Sequence, residues 1–275
     1  MFRRDLLRII RPKPVANEGL EFLEGIEEDG LITSGRALDS TTGRIYRIKN
    51  GYLDLLGGRT GADSIANLTN FLPGAGPAYE PLWRVHSLTL LAGEPFPNER
   101  ELELIADLVR PVRGGRYLDL GCSAGLYTRS LAARLGKGGD VVGIDISPSM
   151  LKEAARRARR VGVTPSFARA DAENLPFADA SFNGVVCGGS LNEFGDPART
   201  LRERRRVIEP GGRVAIMGIL KAKTSRGRRL QRILSTGGVR VFEPEEVSSL
   251  LDHAGFEPDP LRTYNVVFFA GATRR

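Results

Sequence analysis

The chain has 275 residues, which is enough for one large α/β domain with a small additional module, or for two domains at most. Its hydrophobic fraction of 41% is ordinary for a globular protein, and no run is long and apolar enough for a membrane span or a signal peptide. We therefore expect a soluble cytoplasmic protein. The chain has two cysteines, Cys122 and Cys187, and two histidines, His86 and His253, which excludes a Cys/His zinc cluster and a disulfide framework.

Basic residues give a formal net charge of +7 and form three runs, Arg156–Arg160, Arg202–Arg206 and Lys221–Arg232. Such runs attract nucleic acid, anionic lipid or an acidic substrate. The alternative is that they are solvated helix faces. No aromatic residues interleave the runs, and this favours the alternative.

The first part of the chain predicts small β-hairpins, because glycines punctuate its apolar pairs between Gly19 and Leu56. The stretch 58–77 is rich in Gly, Ala and Asn and predicts a linker. Helices are predicted over 79–91 and 99–109, the second of them amphipathic. These changes divide the chain into three parts: a hairpin segment at 1–60, a linker with a helix at 61–98, and the main domain at 99–275.

Beyond Arg116, short apolar strands alternate with helices, and the last residues, 261–273, are β-rich. Ser147-Pro148 and Asp196-Pro197 supply the N-cap and first-turn residues that begin two of the helices. Alternation of this kind requires crossover connections, so the sequence predicts an α/β fold with a mostly parallel, doubly wound sheet. The strands are predicted at 117–120, 141–145, 166–169, 184–187 and 212–218, and the helices at 126–135, 148–160, from 197 and at 245–253.

A glycine-containing turn follows the first of these strands, with the spacing Asp119-x-Gly121-x-Ser123-x-Gly125. Glycine permits a tight turn and close approach of the backbone to a ligand, and the amides at the following helix start favour an electronegative group. The spacing differs from the Gly-x-Gly-x-x-Gly pattern of dinucleotide-binding folds. The turn alone is a weak signal for any particular ligand.

Two further strand ends carry acidic residues. Asp145 ends the second strand, about twenty residues past the turn, where a carboxylate can accept hydrogen bonds from both ribose hydroxyls of a nucleoside. After the third strand, Asp171 could hold an adenine amino group while Ala172 offers a backbone amide. Open α/β sheets bind ligands at the carboxyl edge of their strands, so these groups predict a nucleoside site there.

Together with Gly143–Leu151 (Gly-Ile-Asp-Ile-Ser-Pro-Ser-Met-Leu) and Arg206–Arg213 (Arg-Val-Ile-Glu-Pro-Gly-Gly-Arg), these segments resemble the class I methyltransferases of the ubiquinone/menaquinone-biosynthesis type. The resemblance runs from about Glu99 to the C-terminus. It implies a Rossmann-like, seven-stranded sheet, S-adenosyl-L-methionine as cofactor, S-adenosyl-L-homocysteine as product and no metal. A nucleotide-free or NAD-binding Rossmann domain is the alternative.

The resemblance also implies a role for each residue of the cofactor site. Asp119, Gly121 and Gly125 would cradle the methionine half of the cofactor, and Ser123 would lie in the same turn where the family often has glycine. The remaining contacts would come from residues along the other strand ends: Asp145 at the ribose, Ile146 and Met150 on either side of the adenine, Asp171 and Ala172 at its edge, and Gly188 under the methionyl group. A core position is the alternative for Met150.

The segment 43–56 resembles the end of a small zinc-ribbon module that is fused to some methyltransferases. Asp39 and Thr42 stand where that module has cysteines, so the resemblance implies a hairpin that has lost its metal; a coincidental hairpin is the alternative. Related enzymes carry a cofactor-capping helix where Tyr79 and Arg84 occur. There, Arg84 could pair with the cofactor carboxylate, and Tyr79 or Trp83 could cover its sulfonium.

The loop after the fourth strand contains the candidate general base. Many relatives have a pair of histidines where this chain has Asn192 and Glu193, so Glu193 is the best remaining base; a helix-capping or ion-pair role is the alternative. This loop lacks the Asn/Asp-Pro-Pro-aromatic sequence common in amine methylation of bases, and Cys122 and Cys187 do not fit pyrimidine C5 methylation. The sequence therefore favours a small or lipid-like acceptor: a quinone, isoprenoid, phenol or other secondary metabolite.

The segment 220–242 carries the longest basic run, and its Leu230, Ile233 and Leu234 have helical spacing. We expect this segment, together with Tyr79–Leu91, to cover an apolar acceptor pocket and to turn its charged face to solvent or to an anionic membrane surface. An ordinary surface helix is the alternative. No specific nucleic acid is expected, although an RNA-directed methyltransferase or a catalytically silent binding module stays open.

Overall fold

The structure is a computed structural model that describes residues 1–12, 18–57, 85–236 and 238–275. The predicted linker, Tyr79, Trp83 and Arg84 lie outside these ranges. Helices are numbered among the described residues: α1 Val85–Ala92, α2 Asn98–Val109, α3 Leu126–Leu135, α4 Pro148–Arg160, α5 Pro197–Val207, α6 Ser225–Thr236 and α7 Pro244–His253. The strands are β1 Phe2–Arg3, β2 Glu21–Glu28, β3 Leu31–Asp39, β4 Arg44–Lys49, β5 Tyr52–Asp54, β6 Arg116–Leu120, β7 Asp140–Asp145, β8 Ser166–Arg169, β9 Phe182–Gly188, β10 Ile208–Ile219, β11 Phe256–Pro258, β12 Arg262–Tyr264 and β13 Val267–Arg274.

The predicted doubly wound sheet is confirmed. Strands β8, β7, β6, β9 and β10 lie in that order and are parallel. Next to them, β13 is antiparallel to β10, and β11 is antiparallel to β13, so these seven strands form the predicted part of a larger sheet. Buried side chains from both helices and strands form the core clusters. None of the helices that the structure describes is both long and apolar enough to cross a bilayer.

Local sequence explains where the helices of this domain begin. The Ser147 hydroxyl accepts a hydrogen bond from the amide of Met150 at 3.4 Å, and Pro148 occupies the first turn of α4. In α5, the Asp196 carboxylate accepts from the amide of Arg199 at 2.9 Å. Both starts are as predicted. The strand predicted at 212–218 begins four residues earlier, because a register irregularity before Arg213 lets Ile208 pair with Phe182.

The N-terminal hairpins extend the same sheet. Strands β3, β4 and β5 pair in sequence, and β5 pairs with β8 in parallel, so that Leu53 lies opposite Ala168 and Asp54 opposite Arg169. The β-rich N-terminal part was predicted, whereas its direct continuation into the main sheet was not. The division near residue 60 stays a prediction.

The turn between β3 and β4 contains Asp39 and Thr42. The buried Asp39 carboxylate accepts hydrogen bonds from the amides of Thr41 and Thr42 at 3.0 and 3.3 Å and from the Thr42 hydroxyl at 2.6 Å. Side-chain hydrogen bonds therefore close the turn at the positions where the zinc-ribbon module that it resembles has metal ligands. Within the described ranges, no three His, Cys, Asp or Glu side chains come together as a metal site; freedom from zinc stays a prediction.

Candidate functional site

Four parallel strands bring the predicted site residues to one edge of the sheet. Leu120 of β6 lies opposite Ile144 of β7 and Cys187 of β9, and Asp145 lies opposite Arg169 of β8. The loops that follow these strands therefore begin side by side at the carboxyl edge, where open α/β sheets bind ligands. The predicted convergence of the strand ends is confirmed.

The turn after β6 depends on backbone that passes through the left-handed region. Gly121, Ser123 and Gly125 have φ values of 63°, 49° and 77°. A Cβ atom on Gly121 would lie 2.2 Å from the Ser190 hydroxyl, so this glycine lets the loop after β9 approach the turn. The positive φ of Ser123 explains physically why glycine is common at this position in the family that the turn resembles.

Asp145 joins the turn to the start of α4. Its Oδ2 accepts a hydrogen bond from the amide of Ser123 at 2.9 Å, and its Oδ1 accepts from the amide of Ser147 at 2.8 Å. Burial raises the pKa of Asp145, and these amide hydrogen bonds oppose the increase. An ionised carboxylate has about four acceptor positions, so acceptor capacity remains for a ligand's hydroxyl group beside these amides.

Asp119 and Met150 are nearly inaccessible, with 2% and 1% of their surface exposed. The Thr128 hydroxyl donates to Asp119 at 2.5 Å, and the Ser123 hydroxyl lies 3.5 Å from the Met150 sulfur. Both side chains thus brace the turn within the protein interior. Their direct contact with a cofactor stays a prediction.

The loop after β8 contacts the loop after β9. The Asp171 carboxylate is exposed and accepts a hydrogen bond from the amide of Glu173 at 2.8 Å, while Ala172 is buried. The Glu173 carboxylate accepts from the amide of Gly195, also at 2.8 Å. The residues proposed at the adenine edge are therefore linked to the loop that carries Glu193.

Two neighbours of Gly188 were not predicted as site residues. A Cβ on Gly188 would lie 2.6 Å from the ring of Tyr127, whose hydroxyl donates a hydrogen bond to the buried carboxylate of Glu101. A sequence signal for Glu101 existed, because it shares the buried stripe of α2 with Ile105 and Leu108. Gly188 thus packs against an aromatic ring that a buried carboxylate orients.

Arg169 is a third residue that sequence reasoning missed. Its Nε donates to the carbonyl of Ile146 at 3.0 Å, and its Nη1 contacts the carbonyl of Gly57 and the carboxylate of Asp54, the latter at 3.4 Å. The side chain is buried, so Asp54 serves as its charge partner in the interior. Through Arg169, the N-terminal strand β5 supports the backbone directly after Asp145.

Glu193 follows a short 3₁₀ turn, Ser190–Asn192, and its side chain is partly buried. Burial, reinforced by the nearby charge of Asp145, raises the pKa of Glu193 to about 7. The thiols of Cys122 and Cys187 are fully buried, and burial raises the pKa of both, so neither resembles an activated nucleophile. Of these three side chains, Glu193 is therefore the one with a pKa near neutral pH.

Comparison with known proteins agrees with this geometry. Residues 118–216 match the family described as "Methyltransferase domain". The ubiquinone/menaquinone biosynthesis C-methyltransferase UbiE of Haemophilus ducreyi is 30% identical over 169 residues, which cover 53% of this chain and 65% of that protein. The 27-O-demethylrifamycin SV methyltransferase of Amycolatopsis mediterranei is 32% identical over 208 residues, which cover 72% of this chain and 73% of that protein.

A solved structure shares the fold at low identity. Phospholethanolamine N-methyltransferase 2 of Haemonchus contortus, in complex with phosphomonomethylethanolamine and S-adenosylhomocysteine, aligns with a TM-score of 0.59 and 16% identity, covering 73% of this chain and 59% of that chain.

The present chain belongs to the class I S-adenosylmethionine-dependent methyltransferases. It spans less than two thirds of the length of the quinone-related relatives, 65% of one and 57% of another.

The raised pKa of Glu193 predicts a pH-dependent stability. The folded state binds the Glu193 proton more tightly than the unfolded state, so the stabilisation is present below pH 4.5 and is lost as the pH rises through about 7. We expect Glu193→Gln to gain about 1–3 kcal/mol of stability relative to wild type between pH 5 and pH 8. Urea unfolding at pH 5, 6, 7 and 8 measures this difference. A difference between variant and wild type that stays constant with pH would contradict the raised pKa of Glu193; Glu257→Gln, at an exposed glutamate of β11, is the control.

Proposed function

We propose that this enzyme transfers the methyl group of S-adenosylmethionine to a small or lipid-like acceptor of the quinone, isoprenoid, phenol or secondary-metabolite class. The observation that carries the proposal is Glu193, a partly buried carboxyl group with a pKa of about 7 on the loop after β9. The names of two relatives, a quinone-biosynthesis C-methyltransferase and a rifamycin methyltransferase, agree with such acceptors.

The residues at the carboxyl edge fit the cofactor. The remaining acceptor capacity of Asp145 suits the ribose hydroxyls, and the turn from Gly121 to Gly125 would lie against the methionine half. Ile146 and Ala172 would contact the adenine, with Asp171 at its edge. When bound, the cofactor supplies an electrophilic methyl group on a sulfonium, so the protein contributes mainly proximity and orientation.

Glu193 would act as the general base for an acceptor that must lose a proton. A base works best when its pKa lies near the working pH, and burial beside Asp145 brings Glu193 into that range. No hydrogen bond or ion pair within the described residues engages its carboxylate, which leaves the oxygens available to an acceptor. The proposed helix-capping and ion-pair alternatives have no such contact to support them.

The basic helix α6 would bring the enzyme to a membrane that holds the acceptor. The Gln231 amide accepts from the amide of Ala222 and donates to the carbonyl of Leu220, each at 2.8 Å, which ties α6 to the end of β10. The predicted apolar stripe falls on side chains outside the described set. Four exposed cations lie on or just before α6 at intervals of three residues, and no ion pair joins them to another described residue: Lys223, Arg226, Arg229 and Arg232. Such a face would attract an anionic membrane in which a lipophilic acceptor is dissolved.

Loss of the Asp145 carboxylate should weaken cofactor binding. Asp145→Ala removes an acceptor for both ribose hydroxyls, and charge-assisted hydrogen bonds of this kind are worth about 1.5–3 kcal/mol. We expect the Kd values of S-adenosylmethionine and S-adenosylhomocysteine to rise about 10- to 150-fold in isothermal titration calorimetry. Asp252→Ala, an exposed carboxylate on α7, is the control. Equal affinities for mutant and wild type would contradict the ribose assignment.

Removal of the proposed base should reduce turnover and leave cofactor affinity intact. Glu193→Gln keeps the shape of the side chain but cannot accept the proton, so kcat should fall by about 10²–10⁴. Labelled S-adenosylmethionine with a panel of phenols, quinones and RNA identifies the acceptor and measures kcat, with Glu257→Gln as the matched control. Full turnover of Glu193→Gln with the true acceptor would assign Glu193 a structural role.

The basic face of α6 should bind anionic vesicles. Replacement of Arg226, Arg229 and Arg232 by Gln should weaken binding to phosphatidylserine-containing vesicles about 100-fold, since each cation near an anionic surface contributes about 1 kcal/mol. The control is the triple variant Lys152→Gln, Arg159→Gln and Arg160→Gln on α4, which removes the same charge from another exposed helix face. If the wild-type protein does not bind vesicles but binds RNA with a steep salt dependence, the RNA-directed alternative replaces this proposal.

A further inference from the structure

Asn192, the residue before Glu193, uses its side chain entirely for internal contacts. It is 1% exposed. Its Nδ2 donates to the carbonyl of Ile219 at 2.9 Å and to the carbonyl of Arg240 at 2.7 Å, while its Oδ1 accepts from the amide of Ile219 at 2.9 Å. Both amide donors are thus engaged, and the side chain joins the loop after β9 to two other parts of the chain.

The backbone around Asn192 strengthens the same connection. The amide of Arg240 donates to the Asn192 carbonyl at 2.7 Å, so Asn192 and Arg240 are linked in both directions. A Cβ on Gly218 would lie 2.7 Å from the Asn192 Oδ1, so only glycine leaves room for this amide beside β10. The end of β10, the backbone at Arg240 and the loop after β9 therefore meet at one buried side chain.

The loop that carries Glu193 is also held on its other side. The amide of Gly195 donates to Glu173, and the ring of Phe194 stacks on the buried guanidinium of Arg204 at 5.3 Å. Glu193 lies between these contacts and Asn192. The backbone position of Glu193 is therefore set by contacts on both sides.

We propose that Asn192 is a positioning residue that fixes Glu193 at the reaction site and couples it to the segment that leads from α6 to α7 through Arg240. The role of Glu193 in this proposal rests on the proposed function, whereas the hydrogen-bonded connection from Asn192 to Ile219 and Arg240 does not depend on it. An aspartate at this position would turn a carboxylate oxygen toward two backbone carbonyls and lose both donated hydrogen bonds. The structure thus requires an amide here, and the proton-accepting role passes to Glu193.

The charged groups around Glu193 determine how it should respond. Asp145 lies near enough to raise its pKa, Glu173 binds the same loop, and the Arg204 guanidinium lies beneath Phe194. The Arg240 guanidinium is engaged by Glu246. A new carboxylate at position 192 adds a like charge and should raise the pKa of Glu193 further, whereas Asn192→Ala should release the loop to water and lower it.

Hydrogen exchange and NMR titration of the full chain test the proposal without an acceptor. In Asn192→Asp and Asn192→Ala, we expect the Arg240 amide to exchange at least tenfold faster than in wild type. The pKa of Glu193, read from the δ-carbon resonance of labelled glutamate and assigned with Glu193→Gln, should move in opposite directions in the two variants. Asn183→Asp is the matched control, because Asn183 also donates a side-chain hydrogen bond but lies near the opposite end of β9.

Unchanged exchange at Arg240 in either folded variant, or the same acceleration in Asn183→Asp, would overturn the proposal. So would an unaltered pKa of Glu193 in both variants. With an acceptor in hand, the variants should lower kcat and leave cofactor affinity within about twofold of wild type. If Glu193→Gln keeps full turnover while the exchange and titration results hold, the general-base function fails and the connection through Asn192 stands.

Discussion

The hydrogen bonds from two backbone amides to Asp145 are the interaction on which the site depends. They hold the turn after β6 and the first residues of α4 on one carboxylate, although these segments are more than twenty residues apart in sequence. Desolvation works against a buried carboxylate, and amide donors offset that cost by stabilising its charged form. The two amides therefore both shape the turn and hold the Asp145 carboxyl group at the carboxyl edge of the sheet.

Close packing around this carboxylate explains the small residues of the site. Ser190 approaches the turn over Gly121, and Tyr127 packs over Gly188, so a side chain at either glycine would displace a neighbouring loop or ring. On the other wall, Arg169 holds the carbonyl of Ile146 and is balanced by Asp54. The site is thus braced from both sides of the sheet edge, and one brace comes from the N-terminal strands.

The sequence predicted those features that are encoded by local patterns. The bounds of α3, α4 and β8 agree with the structure to the residue, because caps, glycines and apolar periodicity lie within each segment. Contacts between distant segments had no such signature. Neither the contact of Arg169 with Asp54, 115 residues apart, nor the pairing of β5 with β8 follows from any periodicity. In the sequence, Asn192 stands out only as a departure from the histidine pair of many relatives. The contacts of its amide with Ile219 and Arg240, 27 and 48 residues away, have no local signal.

Asp145 and Glu193 form a pair of carboxyl groups whose environments differ. Asp145 receives two amide hydrogen bonds that favour its ionised form, whereas Glu193 is partly buried without a described donor, and the charge of Asp145 opposes its ionisation. Like charges in one site separate the pKa values of two carboxyl groups. In the proposed function, the group with fixed donors would bind the cofactor and the other would exchange a proton near neutral pH. A cationic ligand bound between them would favour the ionised form of Glu193, so binding at Asp145 would itself prepare the base.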